Sequence, residues 1–207
     1  MASPTTTEAE EPDDWHLAGE ARAGDESAYA SLIERHQGAI HAFIYRHIND
    51  AETARDLAQE VFVKAWFALG RARPKAQFTT WLFQIAINLC RDEAKSKTFR
   101  QGQITDSIVR ESFTAGEYER DLPDHAAAPD EAVAGSETAR LLDSEIARLP
   151  ADLREAFLLG AVDGWRHKEI AAALGITPKT VEVRIYRARK ILTERLSARG
   201  LIDEFLS

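Results

Sequence analysis

The feature that most limits what this chain can fold into is the helical spacing of its apolar residues. One stripe runs through Leu32, Ile33, His36, Ile40, Phe43 and Ile44, and a second through Ala54, Leu57, Val61, Ala65 and Leu69. This period of three to four residues is that of an amphipathic α-helix. No segment alternates with the period of two that a half-buried β-strand requires, and there is no internal repeat. The sequence therefore predicts an all-α fold.

Helix ends are marked by a few residues in the first half of the chain. Asp50 is placed to cap the second striped helix, and Gly70 is placed to stop it. Pro74 blocks continuation through the next loop, after which Thr79 or Thr80 is predicted to cap a third helix, FTTWLFQIAINLCRDEAKSK. Within this helix Trp81, Ile85 and Leu89 share one stripe, which favours packing for Trp81.

Periodicity fails between residues 99 and 136, a stretch rich in Pro, Ala, Gly and acidic residues. Such a composition buries too little apolar surface to offset the entropy of ordering, so a flexible linker is predicted here. We therefore expect two small helical domains joined by a flexible acidic linker. The predicted ranges are a disordered acidic tail at 1–14, a first domain at 15–98, the linker at 99–136, a second domain at 137–200 and a short tail at 201–207.

Charge is distributed unevenly along the chain, although its formal net value is −8. Residues 1–14 carry five acidic and no basic residues, whereas residues 164–199 carry nine basic and three acidic residues. Phosphate attracts Lys and Arg, so the basic C-terminal quarter is where a nucleic acid would bind.

Several classes of protein are disfavoured by the composition. No apolar run reaches about 18 residues, so no membrane insertion is expected. The N-terminus lacks the pattern of a secretion signal, and the single Cys90 allows no internal disulfide, which favours a reducing cytoplasm. No catalytic group, metal site or cofactor motif stands out. The spacing of His36, His41 and His47 does not stack them on one helix face, as ligands of one metal ion would be. Cys90 is predicted to be a small core residue.

The segment HKEIAAALGITPKTVEVRIYRARKIL has the features of a helix-turn-helix. Ala171 is small where two helices approach, Gly175 suits the left-handed turn, and Val181 fills the corner from the second helix. Thr177 and Pro178 form a cap and first-turn pair. The residues of the second helix that lie outside its inward-facing stripe could contact the major groove of DNA. They are Lys179, Glu182, Val183, Tyr186, Arg187, Arg189 and Lys190.

The motifs GDESAYASLIERH, DAETARDLAQEVFVKAW and FTTWLFQIAINLCRDEAKSK together resemble region 2 of the extracytoplasmic-function (ECF) sigma factors of bacterial RNA polymerase. The segment LPADLREAFLLGAVDGWRHKEIAAALGITPKTVEVRIYRARKIL resembles their region 4. The resemblance implies a non-catalytic polymerase subunit that recognises minus-35 and minus-10 promoter elements and promotes DNA opening at a stress or envelope regulon. It also implies core RNA polymerase and promoter DNA as partners, and a cognate anti-sigma factor as an inhibitor.

The resemblance assigns roles to individual residues. In DLAQEVF it implies Asp56, Gln59 and Glu60 as polar contacts to core polymerase, with Phe62 as a nearby packing anchor. For the single-stranded minus-10 element it implies Lys64, Ala68, Arg71, Ala72, Arg73, Lys75, Phe83, Asn88, Arg91 and Lys95, with Lys97 near the duplex edge. For the minus-35 element it implies Lys179, Thr180, Glu182, Val183, Arg184, Tyr186, Arg187 and Lys190.

Some of these positions depart from the family pattern. Ala72 stands where relatives often carry an aromatic residue, and Glu182 where many carry Arg or Lys, so base preferences are expected to differ. Arg187 is the best candidate for a guanine or phosphate contact. Two other readings of the sequence remain open: a helix-turn-helix regulator that binds duplex operators without polymerase, and a helical adaptor that binds only protein.

Overall fold

The computed structural model describes residues 13–72, 76–100 and 137–199, and in these ranges it contains helices and no β-strand. The helices are α1 (Asp14–Arg22), α2 (Glu26–Ile48), α3 (Ala51–Ala68), α4 (Phe78–Arg100), α5 (Glu137–Ala147), α6 (Ala151–Phe157), α7 (His167–Leu174) and α8 (Pro178–Ser197). A 3₁₀ turn, Leu69–Arg71, follows α3, and a π-helical turn, Leu158–Val162, follows α6. This confirms the predicted all-α fold with two helical domains. Residues 1–12 of the predicted N-terminal tail, the predicted C-terminal tail, and the predicted linker from residue 101 onward lie outside the described residues. Asp14, the last residue of the predicted N-terminal tail, begins α1, and residues 99 and 100 of the predicted linker belong to α4.

Side-chain caps fix several helix starts, and two predicted helix ends were wrong. The Asp50 carboxylate accepts a hydrogen bond from the Thr53 amide at 2.8 Å, as predicted. Gly70 does not stop α3, because the chain continues through it in the 3₁₀ turn. Thr79 and Thr80 do not cap α4, because the helix already begins at Phe78 and both threonines lie in its first turn.

The N-terminal domain, α1 to α4, packs around the predicted stripes. Phe43 and Val61 are completely buried, and the Tyr29 hydroxyl donates to the Phe62 carbonyl across the α2–α3 contact. Trp81 packs against the rings of Trp15 and Phe78, at centroid distances of 5.7 and 5.4 Å. Trp81 is therefore part of the packing, as its stripe predicted. Cys90 is also buried, and burial raises the pKa of its thiol to about 12.

The C-terminal domain, α5 to α8, contains the predicted helix-turn-helix. Gly175 has a φ of +69°, the left-handed conformation that ends α7, and Val181 is completely buried at the corner. Gly160 marks a close approach that the sequence analysis missed. A Cβ added there would lie 2.5 Å from Ile185 Cδ1 and 3.2 Å from Ile170 Cδ1, so only glycine fits without a shift of the neighbouring side chains.

The two domains pack directly against each other, with α4 against α7 and α2 against α5. Gln84 Nε2 on α4 donates to the Ala172 carbonyl on α7 at 2.9 Å, and the rings of Phe83 and Trp165 meet at 4.8 Å. The sequence predicted two domains joined by a linker. Their contact was not predicted, because it depends on side chains that are far apart in the chain. Of the described helices, none combines the length and apolar character needed to cross a bilayer.

Candidate nucleic-acid interface

The outer side of α8 forms the first candidate surface. Thr177 caps the helix by accepting from the Thr180 amide at 3.1 Å, and Pro178 occupies the first turn. Beyond the cap the helix presents a row of exposed side chains, which we name the recognition surface: Lys179, Glu182, Val183, Tyr186, Arg187 and Lys190. Tyr186 is 63% exposed and Val183 37%, although both are large apolar side chains.

Two residues predicted to contact the minus-35 element lie in more confined positions. The Thr180 hydroxyl is within 2.8 Å of the Thr177 hydroxyl and so belongs to the cap. Arg184 is half-buried, and its Nε lies 3.5 Å from a carboxylate oxygen of Asp152 in the same domain. Lys179 pairs with Glu182 at 3.1 Å, so the one acidic side chain of the recognition surface is locally neutralised.

A second candidate surface lies on α3. The side chains of Asp56, Gln59 and Glu60 are exposed, and they share one helix face with two exposed apolar side chains. Val63 is 54% exposed and Phe67 79%. We name the five residues Asp56, Gln59, Glu60, Val63 and Phe67 the α3 surface.

Sequence reasoning missed Val63 and Phe67, and it gave Phe62 only as a nearby packing anchor. Phe62 is only 8% exposed, so it packs inside the domain and is not available to a partner. The signal for Val63 and Phe67 was present, because both are apolar yet lie off the buried stripe of α3. Apolar residues on a solvated face commonly mark a binding surface.

The residues predicted for the minus-10 element are only partly brought together. Asn88 and Lys95 are exposed along α4, and Lys95 lies 3.4 Å from Asp92. Lys64 pairs with Glu60 at 3.0 Å on the neighbouring α3. Of the turn residues, Arg71 is exposed and Ala68 and Ala72 are half-buried. Arg73 and Lys75 lie outside the described residues.

Two of the predicted minus-10 residues contact the C-terminal domain. Phe83 was expected near the base pockets, but it is 2% exposed and packs between Phe43 and Trp165. The Arg91 guanidinium donates through Nε and Nη2 to the two carboxylate oxygens of Glu155 on α6, at 2.7 and 2.6 Å. The second domain therefore covers Phe83 in this structure, and a role of Phe83 at the minus-10 element stays a prediction.

A buried histidine adjoins the Arg91–Glu155 pair. His47 Nε2 lies 4.0 Å from Glu155 Oε1, and neither ring nitrogen has a hydrogen-bond partner among the described residues. Burial, together with the positive charges of Arg154 and Arg91, lowers the pKa of His47 to about 3. The imidazole is therefore neutral at pH 7, and its contact with Glu155 is not an ion pair.

We expect His47 to make the folded chain sensitive to acid. The pKa of His47 is lower in the folded chain than the ordinary 6.5. As the pH falls from 6.5 toward 3, the unfolded chain takes up a proton at this histidine and the folded chain does not, so the folded chain loses stability. When the pH is lowered from 6.5 to about 4.5, the free energy of unfolding of the wild type should therefore fall by about 2 kcal/mol relative to that of His47→Leu. Urea denaturation at both pH values measures the difference.

The comparison with the variant is needed because Asp163 acts in the opposite direction. Burial raises the pKa of Asp163 to about 6, so this carboxyl adds stability as the pH falls from about 6 toward 3.8. That contribution is common to both proteins and cancels in the difference. Parallel stability curves for the wild type and His47→Leu would show that the His47 imidazole is not held neutral.

The described residues contain no cluster of three or more His, Cys, Asp or Glu side chains that could hold a metal ion. The structure presents three surfaces: the recognition surface on the capped helix α8, the acidic and apolar α3 surface, and cationic side chains along α4. Such surfaces suit binding of DNA and of a protein partner.

Comparison with known proteins agrees with this arrangement. The family descriptions "Sigma-70 region 2" and "Sigma-70, region 4" match residues 32–100 and 139–192. The RNA polymerase sigma-H factor of Pseudomonas aeruginosa is 34% identical over 187 residues, covering 88% of this chain and 93% of the relative. The ECF RNA polymerase sigma-E factor of Escherichia coli K12 is 30% identical over 193 residues, covering 91% and 96%.

Solved structures show the same fold. CnrH, solved in complex with the cytosolic domain of CnrY, superposes with a TM-score of 0.62 at 27% identity, covering 89% of this chain and 97% of CnrH. The Bartonella quintana sigma factor RpoE, solved with the anti-sigma factor NepR, gives 0.61 at 24% identity, covering 82% and 96%. With both sigma regions matched in order and relatives aligned over nearly their full length, the chain belongs to the sigma-70 family, as an ECF sigma factor of bacterial RNA polymerase.

Proposed function

We propose that this sigma factor binds core polymerase through the α3 surface, reads the minus-35 element with the recognition surface and holds the minus-10 strand along α4. In this proposal it acts in the cytoplasm and catalyses no reaction itself. The observation that carries the proposal is the presence, in one chain, of an exposed α8 with DNA-binding geometry and a separate α3 surface with exposed apolar residues. A duplex-binding regulator needs only the first of these surfaces.

The α3 surface has the composition of a protein-binding site. Phe67 and Val63 supply apolar area that water solvates poorly, and Asp56, Gln59 and Glu60 supply polar groups around them. Aromatic side chains at the centre of such a surface commonly carry much of the binding free energy. Core polymerase is the partner that the sigma family implies for this helix.

The recognition surface is suited to reading bases rather than only to neutralising phosphate. Val183 can contact a thymine methyl group, Glu182 can accept from cytosine N4, and Arg187 can donate to guanine. Lys179 and Lys190 flank these residues and suit contacts to the DNA backbone. The surface thus combines groups for sequence readout with groups for positioning.

We expect Arg187→Ala to weaken binding to the minus-35 element by about 1–3 kcal/mol, because a bidentate contact with guanine would be lost. The promoter is first obtained by selection from random DNA with the reconstituted holoenzyme, and binding is then measured on that duplex. Arg22→Ala on α1 is the matched control, since it removes the same charge from an exposed site in the other domain. Equal affinity of Arg187→Ala and Arg22→Ala would exclude Arg187 from the site.

An anti-sigma factor is proposed as a further partner. The structures of CnrH with the cytosolic domain of CnrY and of RpoE with NepR support this kind of partner for a chain of this fold. This proposal is tested by purifying the chain from the cells that produce it and identifying the proteins that co-purify, with core polymerase present and with it absent. Recovery of a stoichiometric partner that blocks polymerase binding is the expected result.

A further inference from the structure

Helix α1 has no task in the proposed function, yet it contacts both ends of the turn between α3 and α4. It packs against the 3₁₀ turn Leu69–Arg71 at one end. At the other end, the Trp15 indole N–H donates to the Ala76 carbonyl at 2.8 Å. Residues 73–75 lie outside the described residues, whereas both ends that bound them are described. Helix α1 therefore ties the end of α3 to the start of α4.

The Trp15 ring is itself held against α4. Its centroid lies 5.3 Å from that of Phe78, with the two planes at 86°, and 5.7 Å from that of Trp81. Edge-to-face pairs of this kind favour one orientation of the ring as well as burying its surface. Tryptophan has a single side-chain donor, and here that donor is committed to the Ala76 carbonyl.

The residue before Trp15 fixes the start of α1 to α2. One carboxylate oxygen of Asp14 accepts from Arg35 Nη1 at 3.1 Å, and the other lies 2.8 Å from His36 Nε2. The His36 ring in turn lies 5.5 Å from that of Phe78, in the first turn of α4. Trp15 is therefore attached to two other helices of its domain.

The turn that Trp15 holds carries residues of the predicted minus-10 contact. Arg71 is exposed and Ala72 half-buried at its first end, where the Ala72 amide donates to two carbonyls of the preceding turn at 3.0 and 3.2 Å. At its second end Ala76 and Gln77 are exposed, and the Trp15 indole holds this end from the side. The contacts of α1 thus limit how far the two ends can move relative to each other.

We propose that Trp15 is a positioning residue for reading the minus-10 element. The inference rests on the proposed function, in which the minus-10 strand lies along α4, beside this turn. A contact to a base discriminates only when the group that makes it is held in place, because a loosely held group adapts to other bases. Trp15 touches no base itself, and its N–H keeps the turn in the conformation that the selected base requires.

Trp15→Phe removes the N–H donor and keeps an aromatic ring against Phe78 and Trp81. Transcription by core polymerase carrying the full chain is measured on promoter DNA obtained by selection, and on templates in which each promoter base is changed singly. The ratio of transcription on the selected template to that on a changed template gives the discrimination at that base. We expect Trp15→Phe to lower discrimination at one or two minus-10 bases by about fivefold, the order expected for one neutral hydrogen bond.

A purely structural role of Trp15 would give a different result. A partly unfolded chain lowers transcription on every template by the same factor and leaves the ratios unchanged. Unchanged ratios at all minus-10 bases in a folded Trp15→Phe protein would therefore overturn the proposal. A loss of discrimination confined to the minus-35 bases would overturn it as well.

The matched control is Trp66→Phe, the same change at an exposed tryptophan of α3 whose ring packs on Tyr29. Its discrimination ratios should equal those of the wild type, even if its total transcription falls. A loss at the minus-10 bases as large as that in Trp15→Phe would show that the effect does not depend on the Ala76 contact, and would overturn the proposal.

Asp14→Ala keeps the proposal testable if circular dichroism shows that Trp15→Phe is unfolded. This change removes the contacts with Arg35 and His36 and leaves the Trp15 side chain in place. It should lower discrimination at minus-10 bases by about twofold, as expected for a partly exposed ion pair. Unchanged ratios in a folded Asp14→Ala protein would then overturn the positioning role.

Transcription with the wild-type chain separates this proposal from the proposed function. If the wild-type chain gives no promoter-specific transcript, the proposed function fails and the positioning role fails with it. If the transcript is present and Trp15→Phe leaves the minus-10 ratios unchanged, only the positioning role fails.

Discussion

Phe83→Ala should lower the free energy of unfolding by about 3–5 kcal/mol, the usual cost of removing a buried phenylalanine ring. Phe83 is 2% exposed, and its ring centroid lies 5.2 Å from that of Phe43 and 4.8 Å from that of Trp165. The substitution would leave a cavity between the two domains. Urea denaturation followed by circular dichroism measures the effect.

Asn88→Ala is the control for this experiment, because Asn88 is exposed on the same helix and should change stability by no more than about 0.5 kcal/mol. If Phe83→Ala is as stable as the control yet cannot open promoters, Phe83 instead acts in the base pockets. That result would also mean that the domains do not close over α4 in solution.

Phe67→Ser should reduce affinity for core polymerase by about 30-fold or more, as expected when an aromatic residue central to an interface is removed. Its stability should stay within about 0.5 kcal/mol of the wild type, because the side chain is 79% exposed and loses little packing. Affinity is measured by fluorescence anisotropy of the labelled chain titrated with core polymerase.

The control for Phe67→Ser is His41→Ser, a change at an exposed position on α2 outside both candidate surfaces. It should bind core polymerase as the wild type does. If Phe67→Ser also binds normally, the α3 surface is not the polymerase site, and the exposed apolar pair needs another partner.

Features set by a few neighbouring residues could be predicted from the sequence. The Asp50 cap, the left-handed Gly175 and the buried Val181 each follow from local chemistry, and the structure confirms all three. The helical stripe of α3 is likewise buried, and so is that of α2 except for the half-buried Ile33 and His36. Gly70 shows the limit of this reasoning, since a glycine after a helix also fits a 3₁₀ turn without a positive φ.

Features that depend on the contact between domains could not be predicted. α4 is covered on one side by its own domain and on another by α7, so the period of its apolar residues does not tell which side faces DNA. The contact of Phe83 with Trp165 could not be predicted for this reason. The partners Arg91 and Glu155 are 64 positions apart in sequence, and nothing local to either residue indicates the other.

Run-off transcription with purified components tests whether this chain directs core polymerase to promoters. Core polymerase alone and core polymerase with this chain are compared on DNA selected by the reconstituted holoenzyme and on a scrambled template. We expect a discrete transcript only when the chain and the selected DNA are both present. Binding of the chain to duplex DNA without any promoter-specific transcript would contradict a role as a polymerase sigma subunit.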